Sequence, residues 1–101
     1  MIDLKKIQKD VYNNKRAKGF NITNVNFEFG LIYGELAEAF GAYYKKLPDL
    51  GEELADVAIY LLGLAAILKI DLESEILKKV KKNKKREYKK INGANIRIKD
   101  A

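Results

Sequence analysis

The stretch 54–68, LADVAIYLLGLAAIL, constrains the fold more than any other, because it is apolar on nearly every side of a helix. A helix with that pattern is usually enclosed by other helices, so it is the predicted centre of the domain. Its uncharged part, 57–68, is shorter than the roughly 20 residues that a membrane-spanning helix needs. With one proline in 101 residues, the chain is predicted to be all-α.

Two more amphipathic helices precede this central one. Leu4, Ile7 and Val11 recur at helical spacing, which predicts a first helix over residues 3 to about 17 that ends near Gly19. Thr23 or Asn24 is the predicted N-cap of the second helix. That helix carries a broad apolar arc and stops around KKLPDL; the arc consists of Val25, Phe29, Ile32, Leu36, Ala39, Phe40 and Tyr43.

The third helix is predicted from about Asp49 to Ile70, and a fourth follows it. Asp71 has the chemistry of an N-cap, and Glu73 and Glu75 lie in the first turn, where the helix dipole favours acids. Lysines fill the last turns, where the dipole favours bases. These signals predict a four-helix domain over residues 1–90.

The C-terminal tail, residues 91–101, has a different pattern. It begins INGANIRIKD, in which an Asn-Gly turn signal is followed by alternating Ile-Arg-Ile. This pattern favours a short hairpin or an arm that contacts another subunit. The second and third helices also carry more apolar surface than two short flanking helices can cover. We therefore expect a four-helix bundle completed by oligomerisation, most simply as a symmetric dimer.

The residue inventory restricts the possible chemistry. The sequence contains no histidine and no cysteine, which excludes disulfides, zinc sites of the Cys/His kind, thiol nucleophiles and histidine bases. Any catalysis must use carboxylates, lysines, amides and hydroxyls. The first residues, MIDLKKIQKD, lack the apolar core of a signal peptide, so a soluble cytoplasmic protein without a membrane partner is expected.

The net charge of +6 is unevenly distributed along the chain. Residues 78–90, KKVKKNKKREYKK, carry most of the excess, whereas the acids gather between Glu28 and Glu75. A basic run of this kind is usually a solvated helix face and only sometimes a nucleic-acid surface. Nucleic acid is thus not the expected partner, although a basic nucleic-acid-binding helical protein stays open as an alternative.

Two pairs of acids lie within the most apolar helices. Glu35 and Glu38 are three residues apart in the second helix, and Glu53 and Asp56 have the same spacing in the third. Residues at that spacing are neighbours on a helix surface. Each helix therefore offers a pair of carboxylates from an otherwise buried side.

Such a cluster of carboxylates needs a counter-charge, because unpaired ions in a low-dielectric site cost several kcal/mol each. Either lysines and arginines of neighbouring helices or a divalent cation would supply it. For a single acid the two interpretations are about equal, but the doubled pattern favours a cation for the set. Oxygen ligands without histidine or thiol suit magnesium, which keeps water positions open for substrate phosphates.

These residues resemble a known family. GELAEAF followed by EELADVAIYLLGLAA resembles the MazG-like all-α nucleoside triphosphate pyrophosphohydrolases, whose motif is EExxE and, after a spacer, ExxD. The segment ELADVAIYLLGLAAILKIDL with KVKKNKKREY is most similar to the dCTP pyrophosphatase branch, and the resemblance covers about Ile7 to Tyr88. It implies a homodimer or homotetramer that hydrolyses (deoxy)nucleoside triphosphates to monophosphate and pyrophosphate with magnesium, or with manganese as a substitute.

The resemblance also implies roles for individual residues. Glu35 matches the last glutamate of EExxE, and Glu53 and Asp56 match ExxD, so these three are the expected metal ligands. Further positions match residues that approach the phosphates or sugar; they are Tyr60, Lys79, Asn83 and Arg86. Glu38 is the expected water-orienting base and an additional ligand, and Lys79 the expected catalytic cation.

The sequence departs from the family pattern at two places. Leu31 and Ile32 replace the leading glutamates of the motif, so one usual ligand is missing unless Glu38 or Glu28 compensates. The base-stacking aromatic residue is replaced by Ala17, and Phe20 is the nearest alternative. A family member that binds nucleotides without hydrolysing them is therefore another open interpretation.

Overall fold

The structure is a computed structural model that describes residues 1–99. It contains four helices and a two-stranded antiparallel sheet, in the order α1 (Leu4–Ala17), α2 (Val25–Tyr44), α3 (Leu50–Ile67), α4 (Leu72–Lys85), β1 (Glu87–Ile91) and β2 (Ala94–Lys99). The chain divides into two compact units, Met1–Asp71 and the part that begins at Leu72. The predicted four helices are confirmed, and a hairpin follows them.

Short polar side chains begin the first two helices. The carboxylate of Asp3 accepts a hydrogen bond from the backbone N–H of Lys6, and the Asn24 side chain accepts one from Phe27 N–H. Of the two predicted caps for α2, the structure therefore selects Asn24. Asn21 stiffens the loop before it, because its side chain accepts from the N–H of Asn24 and donates to the carbonyl of the same residue.

The helix ends follow a common closing geometry. α1 ends at Ala17, just before Gly19, as the sequence predicted. Gly19 has a φ of 71°, which allows the backbone N–H of Phe20 to donate a hydrogen bond to the carbonyl of Lys15. Lys46 and Lys69 adopt the same left-handed backbone beyond α2 and α3. The C-terminus of α3 was predicted at Ile70 but lies at Ile67, because residues 68–70 form this closing turn rather than another helical turn.

α3 is the central helix of the first unit, as predicted. It packs against α2 on one side and α1 on another. The buried apolar residues are small or lie in the second half of α3; they are Ala39, Ala42, Leu62, Leu64 and Ala65. Gly63 faces α1, and a Cβ there would be in ordinary van der Waals contact, at 3.4 Å, with both Lys15 Cδ and Val11 Cγ1. Lys15 therefore lies beside α3.

The second unit consists of α4 and the hairpin. In the hairpin Tyr88 pairs with Arg97 and Ile91 with Ala94, and Asn92 and Gly93, both with positive φ, form the turn. β1 begins at Glu87, four residues before the segment 91–101 that the Asn-Gly signal marked as a hairpin or arm. Residues 100 and 101 of that segment lie outside the described residues.

None of the helices in residues 1–99 combines the length and apolar character needed to cross a membrane.

Candidate metal centre

Three glutamates from α2 and α3 converge in the first unit. Glu35 and Glu38 lie on successive turns of α2, and Glu53 lies in the first turn of α3. One carboxylate oxygen from each of them lies within 4.8 Å of one from each of the others. The two helices, joined by the short connection 45–49, thus bring three of the four predicted carboxylates to one place.

One oxygen of this cluster lacks a partner. Glu53 Oε2 is buried and accepts no hydrogen bond. A buried carboxylate oxygen without a donor costs free energy unless a proton, a cation or water satisfies it. The carboxylate of Glu53 is therefore suited to a positively charged ligand.

Burial and mutual repulsion raise the pKa values of two of the three acids above the ordinary value of 4.5. For Glu35 the largest cause is desolvation, followed by the negative charges of Glu38 and Asp56. For Glu53 desolvation again comes first, followed by repulsion from Glu38 and Asp49. Both pKa shifts reflect several negative charges held close together at a partly buried place.

The ion pairs of the described residues involve acids outside this cluster. Within residues 1–99, no lysine or arginine forms an ion pair with Glu35, Glu38, Glu53 or Asp56. The interpretation of these acids as ordinary salt-bridge partners therefore has no support in the described part of the chain. Asp56 is half-buried and its charge raises the pKa of both Glu35 and Glu53, but its carboxylate lies outside the 4.8 Å group.

The cluster opens into a cavity of about 450 Å³. Glu38 and Glu53 line it together with Lys45, which the sequence reasoning did not select. Lys45 follows Glu38 by seven residues, a spacing that returns to the same face of a helix and that could have identified it. This open cavity therefore presents charges of both signs to a ligand.

Glu28 does not compensate for the missing ligand at Ile32. Its side chain is 1% exposed, and its Oε1 accepts a hydrogen bond of 2.5 Å from the ammonium of Lys15, while Asn21 Nδ2 donates to its Oε2. The suggestion that Glu28 serves as a ligand is therefore wrong, because both of its oxygens are already engaged. The sequence pattern of α1 gave no reason to expect a buried lysine.

Tyr60 lies between this ion pair and the acid cluster. The Lys15 ammonium lies 5.8 Å from the centroid of its ring, and the ring lines small cavities beside Phe20. Desolvation, and then the charges of Glu35 and Glu28, raise the pKa of the Tyr60 hydroxyl above 10. The hydroxyl therefore stays protonated and can donate a hydrogen bond.

The remaining predicted residues belong to the second unit. Lys79 and Asn83 lie on α4, and Arg86 follows its last residue. Arg86 Nη1 donates a hydrogen bond of 3.1 Å to Asn83 Oδ1, so the structure brings these two together. The predicted contacts of Lys79, Asn83 and Arg86 with phosphate or sugar stay predictions.

Comparison with known proteins found no match: no family model, no curated protein and no solved structure is similar to this chain at a significant level.

The raised pKa values give a pH prediction for the metal-free protein. In the folded protein Glu35 and Glu53 hold their protons more tightly than in the unfolded chain, because their pKa values are raised. Their contribution to the stability of the fold is therefore fully present below pH 4.5, the ordinary pKa, and is lost as the pH rises through the folded pKa values. We expect the double variant Glu35→Gln/Glu53→Gln to lose less stability than the wild type between about pH 4 and about pH 7. Melting temperatures of both proteins, measured in the presence of a chelator across this pH range, test the prediction. An equal fall in melting temperature with pH for the wild type and the double variant would contradict it.

Proposed function

We propose that the protein is a magnesium-dependent nucleotide pyrophosphohydrolase that cleaves (deoxy)nucleoside triphosphates to the monophosphate and pyrophosphate. The observation that supports it most is the convergence of Glu35, Glu38 and Glu53 without any basic partner among residues 1–99. The unsatisfied Glu53 Oε2 fits a hard cation that prefers oxygen ligands. The resemblance of the sequence to MazG-like enzymes supplies the reaction.

In this proposal the carboxylates have two tasks. Glu35, Glu53 and Asp56 hold the cation, with Glu38 as an additional ligand or as the base that accepts a proton from the attacking water. A magnesium ion bound there would polarise the phosphate oxygens and neutralise charge on the leaving pyrophosphate. Glu38 suits the role of base because it is the exposed member of the cluster and lines the open cavity.

The other predicted residues would bind the substrate. Lys79 and Arg86 neutralise phosphate charge, and Asn83 donates a hydrogen bond to a phosphate or sugar oxygen. Tyr60, whose raised pKa keeps its hydroxyl protonated, donates one as well. With Ile32 at a usual ligand position, the site is weaker or holds fewer ions than a complete motif would unless Glu38 compensates.

A symmetric homodimer, or a homotetramer built from two of them, is part of the proposal, as is a cytoplasmic location. Many large apolar side chains of α2 and α3 are exposed in the single chain. Surface of this kind usually belongs to a protein interface.

The test is a substrate panel. The purified protein is incubated with each ribo- and deoxyribonucleoside triphosphate, with magnesium, manganese or a chelator, and the products are separated. We expect a monophosphate and pyrophosphate in equal amounts, only when a metal is present. Release of inorganic phosphate with a diphosphate would contradict the assignment. Metal-dependent binding of nucleotide without products would instead identify a non-hydrolysing member.

One observation favours the alternative of a nucleic-acid-binding protein. Lys78, Lys81, Lys82 and Lys85 line one face of α4 with no acid between them. If this face binds phosphodiester backbones, the affinity for an oligonucleotide falls steeply with salt and does not depend on magnesium. Fluorescence anisotropy with a labelled oligonucleotide, run beside the substrate panel, separates the two functions.

A further inference from the structure

Another open cavity, of about 410 Å³, lies in the first unit between α1 and the end of α3. Its charged lining is mostly basic: Lys5 and Lys9 belong to α1, and Lys69 to the turn that closes α3. The lining also includes Asp71. Three lysines with one aspartate leave an excess of two positive charges, which suits an anionic ligand.

The excess charge is carried by two of these lysines. Lys5 Nζ lies 3.1 Å from Asp71 Oδ2, so these two side chains largely neutralise each other. Within residues 1–99, Lys9 and Lys69 form no ion pair. They line the cavity from two different elements, α1 and the turn after α3. An anion between them would therefore have a positive charge on each side.

The end of α3 opposes an anion less than an ordinary helix end does. The last carbonyls of a helix carry partial negative charge when they have no donor. Here the backbone N–H groups of Lys69 and Ile70 donate to two of these carbonyls, and Gln8 Nε2 donates to Ile70 O at 2.7 Å. The carbonyl charge beside the cavity is thus partly offset within the protein.

The rest of the cavity lining is suited to an organic group. Ala66 and Ile70 line it together with the side chain of Tyr12. Tyr12 is half-buried and follows Lys9 by three residues, so its ring and the Lys9 ammonium lie on the same face of α1. Aromatic rings pack well on one another in offset or tilted arrangements. A flat ring on Tyr12 therefore has a cation within reach of a charged group attached to it.

We propose that this cavity binds a ligand with a phosphate group and a flat aromatic ring, the chemistry of a nucleoside monophosphate. The phosphate lies between Lys9 and Lys69, and the base packs on Tyr12. The cavity volume falls within the range of small-molecule sites, about 300–1,000 Å³. Binding there requires no metal and does not depend on the proposed hydrolysis.

The proposed site is separate from the acid cluster. Glu53 lies in the first turn of α3 and Ala66 in the last. At 1.5 Å per residue the two positions are roughly 20 Å apart along the helix axis. One small ligand therefore cannot occupy both places.

Calorimetric titration of the full chain with adenosine monophosphate, in the presence of a chelator, tests the proposal. The chelator prevents binding through a metal at the acid cluster. We expect saturable binding with a dissociation constant below about 1 mM, and a melting temperature that rises with the nucleotide concentration. Adenosine and inorganic phosphate each carry half of the ligand and should bind about tenfold more weakly or worse. No binding of adenosine monophosphate, or equally strong binding of inorganic phosphate, would overturn the proposal.

Lys69→Asn and Lys46→Asn are a matched pair of variants. Both lysines have a left-handed backbone, with φ of 58° and 57°, beyond the ends of α3 and α2, and asparagine tolerates this conformation. Of the two, Lys69 lines the cavity. We expect Lys69→Asn to weaken binding of adenosine monophosphate about fivefold and Lys46→Asn to change it less than about twofold. Equal effects would indicate a general attraction to the positive protein and would overturn the site.

Two further variants locate the ligand. Lys9→Gln removes the cation on α1 and should weaken binding as much as Lys69→Asn, which guards against a local defect of the turn. Glu53→Gln changes the acid cluster and should keep the binding of adenosine monophosphate. Loss of binding in Glu53→Gln would place the nucleotide at the acid cluster and refute a separate site. Circular dichroism should show the helicity of the wild type in every variant.

Discussion

Lys15→Met should destabilise the protein by about 3–5 kcal/mol, because it leaves the carboxylate of Glu28 buried without its counter-ion. Lys15 is 9% exposed and Glu28 1% exposed, so the pair is largely shielded from solvent. Methionine has a similar length and helix propensity, which keeps the packing against Gly63 and α3 comparable. Stabilities of small domains are often only 5–15 kcal/mol, so this variant loses a large share of its stability. Urea denaturation at neutral pH measures the change.

Two further variants serve as controls. Lys5→Met breaks an exposed ion pair with Asp71, where Lys5 Nζ lies 3.1 Å from Asp71 Oδ2, and should cost less than about 1 kcal/mol. The double variant Lys15→Met/Glu28→Leu removes both buried charges and should recover most of the stability, because no ion remains unpaired. A Lys15→Met variant as stable as Lys5→Met would show that the buried pair carries little of the fold's free energy.

Glu53→Gln should reduce magnesium-dependent hydrolysis roughly 100-fold or more, since it removes a charged ligand from the acid cluster. In the metal-free protein the same change should be neutral or stabilising, because it relieves the repulsion and desolvation that raise the pKa of this carboxyl. Magnesium should then raise the melting temperature of the wild type but not of the variant. Activity assays and thermal unfolding with and without magnesium measure both effects.

Glu52→Gln is the matched control for this prediction. Glu52 is the exposed neighbour of Glu53 in the first turn of α3, so it has the same charge and helix position without belonging to the cluster. It should keep full activity and the magnesium-induced rise in melting temperature. A marked loss of metal-free stability in Glu53→Gln would favour an ion pair, and full activity in Asp56→Ala would refute the assignment of that aspartate.

The helices and the acid cluster were accessible from the sequence because both depend on local periodicity. The i, i+3 spacing of Glu35 and Glu38 fixes which side of α2 they occupy, and the short connection to α3 brings Glu53 opposite them. The predicted end of α3 was three residues too late. The helix is closed by Lys69 in a left-handed backbone conformation, which glycine usually adopts and which a lysine does not indicate in the sequence.

Contacts between elements that are distant along the chain could not be predicted from the sequence. In the pattern of α1, Lys15 has the position of a solvated lysine, but the packing of α1 against α3 buries it beside Glu28. No local rule relates residue 15 to residue 28 across the loop between α1 and α2. The same reason explains why Glu28 was considered a metal ligand: its neighbours along α2 are visible in the sequence, but its partner on α1 is not.

The hairpin at the end of the chain has a consequence for solubility. The outer edges of a two-stranded sheet are places where another extended chain can add. Ile91, Ile96 and Ile98 supply apolar side chains that would favour such stacking into fibrils. Lys89, Lys90 and Arg97 are interspersed among them, so two identical strands that approach each other repel through their positive charge. We therefore expect these basic residues to protect the hairpin against aggregation.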